Sequence, residues 1–233
     1  MTKKYKNLSQ LWFTDKMLLV LLILLLLRLF VIEPLTQLGY LRPILIDIFF
    51  SLIALSGVLA VLETRGQALV IAGFACAEVL TLWSRYFKLS TSLNVNLAEG
   101  VLGLAFLGIL AFAVLTLVFR EGPITVYRVQ GAIAVYLLLG LMWASAYVLV
   151  ELVSPGAFQF RTPYQNPQAL ESKLIYFSMV TLSTVGYGDI AAIHPAARSL
   201  AQVEALTGQL FPAILIARLV SMELQYSKPR KQL

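Results

Sequence analysis

Six apolar runs, each close to the length of a membrane-spanning helix, dominate this sequence. An α-helix needs roughly 20 apolar residues to cross the hydrocarbon core of a bilayer. Hydrophobic residues make up 59% of the chain and charged residues only 13%, whereas soluble domains are about half apolar and a quarter charged. The sequence therefore predicts an all-α membrane protein with six transmembrane helices. The runs cover about Met17–Ile32, Ile44–Leu62, Ala68–Tyr86, Leu97–Phe119, Gly131–Val153 and Ala196–Gln225.

Basic residues concentrate before the first run, in every second break and at the C-terminus. Because cytoplasmic segments retain positive charge, both termini are predicted to be cytoplasmic, in a multi-pass protein of the plasma membrane. The net charge of +6 is then explained by topology, and no nucleic-acid partner is expected. Anionic lipid is an alternative partner for the basic tail, which contains Lys228, Arg230 and Lys231.

The segment between the fifth and sixth runs differs from the rest of the chain. A proline-containing loop, Ser154–Gln168, precedes an amphiphilic stretch, Leu170–Ser183, that is too short to span. The polar, glycine-broken sequence TLSTVGYGDI, Thr181–Ile190, follows. Irregular backbone at membrane depth occurs only where protein buries it or where it lines a watery path. We therefore expect a re-entrant helix followed by an irregular strand that lines a pore.

The residues Thr184–Gly188 can present a row of carbonyl oxygens to one side of the strand. Such a row demands backbone angles that Gly186 and Gly188 adopt without steric cost. Val185 and Tyr187 would then point away from the row, into protein, while the hydroxyl of the first residue adds an oxygen. A dehydrated monovalent cation needs more oxygens than one strand supplies, and four strands around an axis supply stacked rings. One such stretch per chain predicts a homotetramer.

The motif Thr181-x-x-Thr184-Val185-Gly186-Tyr187-Gly188-Asp189 resembles the selectivity filter of potassium channels, and the overall plan resembles their tetrameric, six-helix, single-pore-loop family. The resemblance is close over about Gly131–Leu224, and before that it rests on helix count. It implies K⁺ coordination at Thr184, Val185, Gly186 and Tyr187, with Asp189 at the outer mouth. K⁺ ions in the filter are the expected cofactor, and no organic cofactor is expected.

The same resemblance implies a set of residues that support the filter: Tyr176, Phe177, Val180, Thr181 and Asp189. Tyr176 and Phe177 stand where many members have two tryptophans and would form an aromatic cuff around Tyr187. The Tyr176 hydroxyl could reach the Asp189 carboxylate. Val180 occupies a position where some members have a glutamate, and valine cannot make that contact.

The last helix contains two residues that weaken or kink helices, Gly208 and Pro212. In the family, a glycine at this distance beyond the filter is a gating hinge, and close helix packing is the alternative role of a small residue. By position, Ile216 and Val220 would lie near the cytoplasmic constriction.

The resemblance divides the chain into a cytoplasmic N-terminal segment, a four-helix domain with its linker, a pore domain and a short cytoplasmic tail. Their bounds are 1–16, 17–128, 129–225 and 226–233. The fourth run contains no Lys or Arg, although a voltage sensor needs several basic residues along one helix. We therefore expect no steep voltage gating through this segment. The C-terminal regulatory domain of nucleotide-gated and calcium-gated members is not expected either.

Ionisable residues within the runs are candidates for function because they are costly in a membrane. Arg28, Asp47 and Arg85 are predicted to lie in the outer third of the first three helices and to form an ion-pair cluster. A sensor role is the alternative. Glu204 would lie near filter depth, where it could hydrogen-bond behind the filter.

Two further ionisable residues carry no single assignment. Glu78 lies deeper than the predicted cluster and has no obvious partner in the sequence. His194 follows the filter and would give acid sensitivity at the outer mouth or simply lie in a solvated loop.

Other classes of protein are less consistent with the sequence. The chain has one histidine and no cluster of catalytic or metal-ligating residues, so no enzyme is predicted. A transporter would show broken helices in two matching halves, and only one break is evident. The predicted function is passive, potassium-selective conduction. A non-conducting or regulatory subunit that co-assembles with another potassium channel, or a weakly selective cation channel, is the alternative.

Overall fold

The structure, a computed structural model, describes residues 16–61, 65–84, 86, 93–120 and 125–227, with side chains left out at 65–67, 93–95 and 225–227. The N-terminal residues 1–15, Arg85 and the basic tail lie outside the described residues. The described elements are α1 (Lys16–Gln37), α2 (Ile44–Ala60), α3 (Arg65–Ser84), α4 (Leu93–Val118), α5 (Val126–Val153), β1 (Phe158–Phe160), α6 (Pro167–Leu182), β2 (Ile190–Ala192) and α7 (Pro195–Ser227).

Four of these helices contain segments long and apolar enough to cross a membrane: Lys16–Gln37, Asn96–Val118, Val126–Val153 and Pro195–Leu224. The apolar helices Ile44–Ala60 and Ala68–Ser84 are shorter. The chain is therefore a mostly helical, multi-pass membrane protein. The expectation of six full-length spans exceeds what the described helices show, because α2 and α3 end before they reach the length of the other four.

Helix α1 continues past the point where the sequence predicted its end. Pro34 has no N–H to donate to the carbonyl four residues earlier, and proline therefore interrupts ordinary helices. Here the turn Arg28–Ile32 is π-helical, and the Glu33 N–H bonds the Arg28 carbonyl five residues back. This shift in hydrogen-bond register lets the helix run on to Gln37, whereas the sequence placed a break at Glu33-Pro34.

The hydrophobic core runs without interruption from α1 through α5 and reaches Ile175 of α6. Helices α4 and α5 form the most extensive contact between described elements. Small residues allow some of these approaches: a Cβ on Gly100 of α4 would lie 2.7 Å from Leu149 of α5. The first helices therefore pack directly against the helix that leads into the filter region.

Helix α6 begins and ends at defined positions. Asn166 caps it, because its side-chain oxygen accepts a hydrogen bond from the Ala169 N–H at 2.7 Å, and Pro167 follows at the first turn. The helix ends at Leu182, close to the prediction from sequence. Strands β1 and β2 then pair antiparallel in the register Phe158 with Ala192 and Phe160 with Ile190. The sequence analysis missed this two-stranded sheet, because three-residue strands leave no alternating pattern.

Two polar side chains of α1 contact the first turns of α6. Arg28 is 2% exposed and forms an ion pair with Glu171, with 3.3 Å between Nη2 and Oε1. The next residue of α6, Ser172, donates a hydrogen bond to the buried carboxylate of Glu33, which lies about one turn after Arg28 on α1. The sequence analysis did not name Glu171, and through this ion pair Arg28 joins α1 to α6.

Asp47, a second member of the predicted charge cluster, and Glu78, which was not assigned to it, lie near Arg28. Asp47 accepts a hydrogen bond from the Tyr86 hydroxyl, and Glu78 lies against Gly103 of α4. Asp47, Glu78 and Arg28 line one cavity of about 400 Å³. Because Arg85 lies outside the described residues, its part in an ion-pair cluster stays a prediction.

Glu171→Gln tests the contact between α1 and α6. Within the described part of the chain, the Arg28 Nε and Nη1 atoms have no hydrogen-bond partner. The substitution therefore leaves a buried guanidinium without its carboxylate. We expect a loss of roughly 1–3 kcal/mol, less than for a fully buried pair because Glu171 is exposed on one side. A lower melting temperature in detergent measures the loss. Glu223→Gln, an exposed glutamate on α7, is the matched control, and equal melting temperatures of the two variants would contradict the prediction.

Candidate ion-conduction site

The segment after α6 alternates in backbone conformation. Thr184, Gly186 and Gly188 have φ of 60°, 57° and 76°, while Val185 and Tyr187 between them do not have positive φ. The sequence predicted this conformation for the two glycines. Thr184 was not predicted to adopt it, because a β-branched residue at positive φ is a genuine outlier. Strained residues of this kind persist where the surrounding structure over-determines them, and they cluster at functional sites.

Backbone hydrogen bonds tie the start of this segment to the end of α6. The Thr184 N–H donates to the Thr181 carbonyl at 2.9 Å. The N–H groups of Val185 and Gly186 both donate to the Val180 carbonyl, at 3.0 and 3.3 Å. Val180 and Thr181 therefore support the segment through their main chains, a role independent of the valine side chain that departs from the family pattern.

The outer end of the segment is fixed by Asp189. Its carboxylate interacts with the Tyr176 hydroxyl, a contact that the sequence analysis named as possible. Its main-chain oxygen accepts the Arg161 N–H at 3.2 Å, which extends the pairing of β1 and β2. The irregular backbone is thus held at both ends, by α6 on one side and by the small sheet on the other.

In the single chain Phe177 packs into the core beneath the small sheet, and the predicted aromatic cuff around Tyr187 stays a prediction. The Phe177 ring packs edge-on against Tyr147 of α5 and Phe158 of β1, with centroids 5.1 and 5.4 Å apart. Adjacent positions on a helix point about 100° apart. Tyr176 therefore faces Asp189 while Phe177 belongs to the core beneath the outer sheet.

Val185 and Tyr187 are open in the single chain, at 54% and 72% exposure. The sequence predicted that both would point into protein. Within one chain they do not, because the described helices cover only the α6 side of the segment. Residues 183–188 are all exposed.

A polar cluster lies behind the segment, between α5, α6 and α7. Glu204 is completely buried. Its carboxyl group contacts the Ser178 hydroxyl at 2.5 Å and the Tyr147 hydroxyl. The Ser178 hydroxyl also lies 2.7 Å from the Gly140 carbonyl oxygen. The sequence placed Glu204 behind the filter but gave no means of choosing its partners.

Gly208 of α7 lies directly against the end of α6. A Cβ at this position would be 1.7 Å from the Leu182 carbonyl oxygen, and the same oxygen accepts the Tyr136 hydroxyl at 3.0 Å. Glycine is therefore required for packing. Of the two roles considered from sequence, close helix contact is supported by this geometry, and α7 runs continuously through Pro212.

Helix α7 is largely uncovered in the single chain. Only 11% of the most apolar window in its span is buried, against 39–44% in the other three spans. Ile216 and Val220, the predicted constriction, are 61% and 53% exposed. The single chain brings nothing against them, so their role stays a prediction.

The loop before α6 is organised by Glu151, which the sequence analysis missed. Its buried carboxylate accepts the N–H groups of Gly156 and Phe158, at 2.9 and 3.2 Å. Tyr164 donates to it at 3.4 Å. Burial raises the pKa of the Tyr164 hydroxyl, and the Glu151 carboxylate adds to that rise.

His194 accepts the Ala196 N–H through Nδ1 at 3.3 Å, at the start of α7.

Comparison with known proteins bears on the same part of the chain. Residues 135–225 match the family model described as Ion channel. This segment is therefore similar to a family of ion channels. It contains most of α5 and all of α6, the irregular segment and nearly all of α7. The match is to a family of channels, so the prediction that the chain is not an enzyme is confirmed.

One curated relative covers a similar length. Protein LctB of Bacillus caldotenax is 35% identical over 91 residues, which amount to 36% of this chain and 64% of the relative. The chain thus spans a little under two thirds of the length of the relative it matches. No solved structure matches the chain significantly.

Gly208→Ala distinguishes packing from hinge motion. The added methyl group would collide with backbone, which cannot move aside as a side chain can, so we expect a loss of about 1–3 kcal/mol or more. The measurement is the yield of monodisperse protein and its melting temperature in detergent. Gly73→Ala is the matched control: its Cβ meets nothing within 4 Å, and alanine favours a helix by about 1 kcal/mol. A fully stable Gly208→Ala protein with altered opening would favour the hinge.

Proposed function

We propose that this protein is a potassium-selective channel that conducts K⁺ passively through the segment Thr184–Gly188. The observation that carries the proposal is the alternation of positive φ at Thr184, Gly186 and Gly188, with residues of ordinary φ between them. In an extended strand, successive carbonyls point to opposite sides. Alternating the handedness of successive residues brings them toward one side, which is the arrangement needed to replace the hydration shell of an ion.

The placement of α6 supports a cation site at the inner end of this segment. The C-terminus of a helix carries partial negative charge and favours a cation, by about 0.3–1 kcal/mol at an exposed site. Helix α6 ends at Leu182, two residues before Thr184. K⁺ would be coordinated by the carbonyls of Thr184, Val185, Gly186 and Tyr187 and by the Thr184 hydroxyl. Asp189 at the outer end would raise the local cation concentration.

A homotetramer is proposed because the segment and α7 are incomplete in one chain. Val185 and Tyr187 are apolar or aromatic and exposed, and α7 leaves apolar side chains uncovered along its length. Four copies around an axis would cover these faces and supply rings of four carbonyls. The uncovered α7 residues include Val203, Leu206, Leu210, Ile214, Ile216, Val220 and Leu224.

The remaining features of the proposal come from the sequence and the helix lengths. Helix α2 has 17 residues and α3 has 20, lengths within the range that spans a bilayer, so both are consistent with six spans. The basic residues favour both termini in the cytoplasm. Helix α4 contains no Lys or Arg, so steep voltage gating through it is not proposed. Anionic lipid is the proposed partner of the basic tail.

Ion flux into liposomes that contain only this chain tests selectivity. K⁺ and Rb⁺ should enter, Na⁺ should be excluded, and Ba²⁺ should block. Gly186→Ala should abolish selective flux, since a residue with a Cβ costs roughly 1–2 kcal/mol in the left-handed conformation and four copies would be strained at once.

Gly39→Ala provides the control for that substitution. Gly39 also has positive φ, at 80°, but it lies in the turn after α1, away from the segment. We expect it to keep selective flux. Equal entry of Na⁺ and K⁺ in the unmodified protein would favour a weakly selective channel, and no entry of either would favour a non-conducting subunit.

The mass of the purified particle tests assembly. In mild detergent we expect four chains per particle, because the uncovered faces of α7 need partners. A monomeric or dimeric particle that still conducts K⁺ selectively would contradict the proposal.

A further inference from the structure

If the Glu204 carboxyl group is ionised, the cluster around it has too few donor hydrogens for its hydrogen-bond acceptors. Ser178 has one hydroxyl hydrogen. Its oxygen lies 2.5 Å from Glu204 Oε1 and 2.7 Å from the Gly140 carbonyl oxygen, which can only accept. If Glu204 were ionised, the single hydrogen would satisfy one contact and leave two acceptors facing each other in the other.

One additional proton on Glu204 satisfies every contact. Tyr147 donates to Oε2, Oε1–H donates to the Ser178 hydroxyl, and Ser178 donates to the Gly140 carbonyl. The chain of hydrogen bonds then runs in one direction and ends on a main-chain oxygen of α5. An amide in place of the acid could make the same contacts, because it also offers one acceptor and at least one donor.

Among the described residues, no basic side chain pairs with Glu204. The residue is completely buried, and an unpaired buried carboxylate is costly in a medium of low dielectric constant. The titratable groups that face it are two phenols of α5, Tyr147 and Tyr136. From α6 it meets the uncharged Ser178, and among the described salt bridges none involves Glu204.

We propose that Glu204 is a neutral carboxylic acid whose proton joins α7 to α6 and α5, and that it is a positioning residue for the conducting segment. Ser178 lies on α6 two turns before Thr184, and Gly140 lies on the facing turn of α5. The acid thereby fixes where α6 ends and where the Thr184–Gly188 backbone begins. This role rests on the proposed channel function, but the protonation state does not.

Infrared difference spectroscopy tests the proton without any flux. The spectrum of the unmodified protein minus that of Glu204→Gln at neutral pH should contain the C=O band of one protonated carboxyl group. Glu223→Gln, on the exposed face of the same helix, should give a carboxylate band instead. A carboxylate band for Glu204, or a Glu204→Gln protein that does not assemble, would overturn the proposal.

The positioning role is tested by the ratio of K⁺ to Na⁺ flux. Glu204→Gln should keep that ratio within about twofold of the unmodified protein, because the amide preserves the hydrogen bonds. Glu204→Val should lower it by roughly fivefold or more, since the buried hydroxyls of Tyr147 and Ser178 lose a partner. If Glu204→Val does not assemble, Ser178→Ala replaces it, with the same expected direction.

The outcomes separate the two proposals. A protonated band in a protein that shows no flux would keep the neutral acid and remove the channel function. Unchanged selectivity in both Glu204→Val and Ser178→Ala would overturn the positioning role while leaving the channel in place.

Discussion

Helix α6 ends at Leu182, and its last carbonyl groups need partners from outside the helix. The final four carbonyls of any helix lack intrahelical donors, and an unsatisfied group in hydrocarbon is expensive. Here every one has a partner. The Ser183, Thr184 and Val185 N–H groups satisfy Met179, Thr181 and Val180, and the Tyr136 hydroxyl satisfies Leu182. The N–H groups of the irregular backbone that follows therefore supply hydrogen bonds that the end of the helix cannot make internally.

The rest of the fold holds this helix in place from three sides. On the outer side, Arg28 and Glu33 of α1 contact Glu171 and Ser172 in its first turns. From α5 come Tyr136 and the Gly140 carbonyl, and from α7 come Glu204 and the bare backbone at Gly208. The π-helical turn that carries α1 past Pro34 belongs to the same arrangement, since it is this turn that contains Arg28 and adjoins Glu33.

The sequence predicted those features that follow from local chemistry. The lengths of the apolar runs predicted the helices, and the two glycines predicted positive φ at Gly186 and Gly188. It could not assign Arg28 to Glu171, because 143 residues separate them and periodicity says nothing about partners so distant. It named no partner for Phe177 within the chain, because Tyr147 and Phe158 approach that ring from distant parts of the sequence. The positive φ of Thr184 was not predicted, because a β-branched side chain disfavours that conformation.

The contacts of α7 divide that helix into two unequal halves. Above Gly208 it is fixed to α6 by the buried Glu204 and by direct backbone contact. Pro212 lacks the N–H that would bond the carbonyl of Gly208, four residues earlier, so the helix is weakest immediately below the fixed part. Beyond it, Ile216 and Val220 are uncovered. Any bending of α7 therefore meets least resistance at Pro212, on the C-terminal side of the glycine, and leaves the contacts that support the segment Thr184–Gly188 undisturbed.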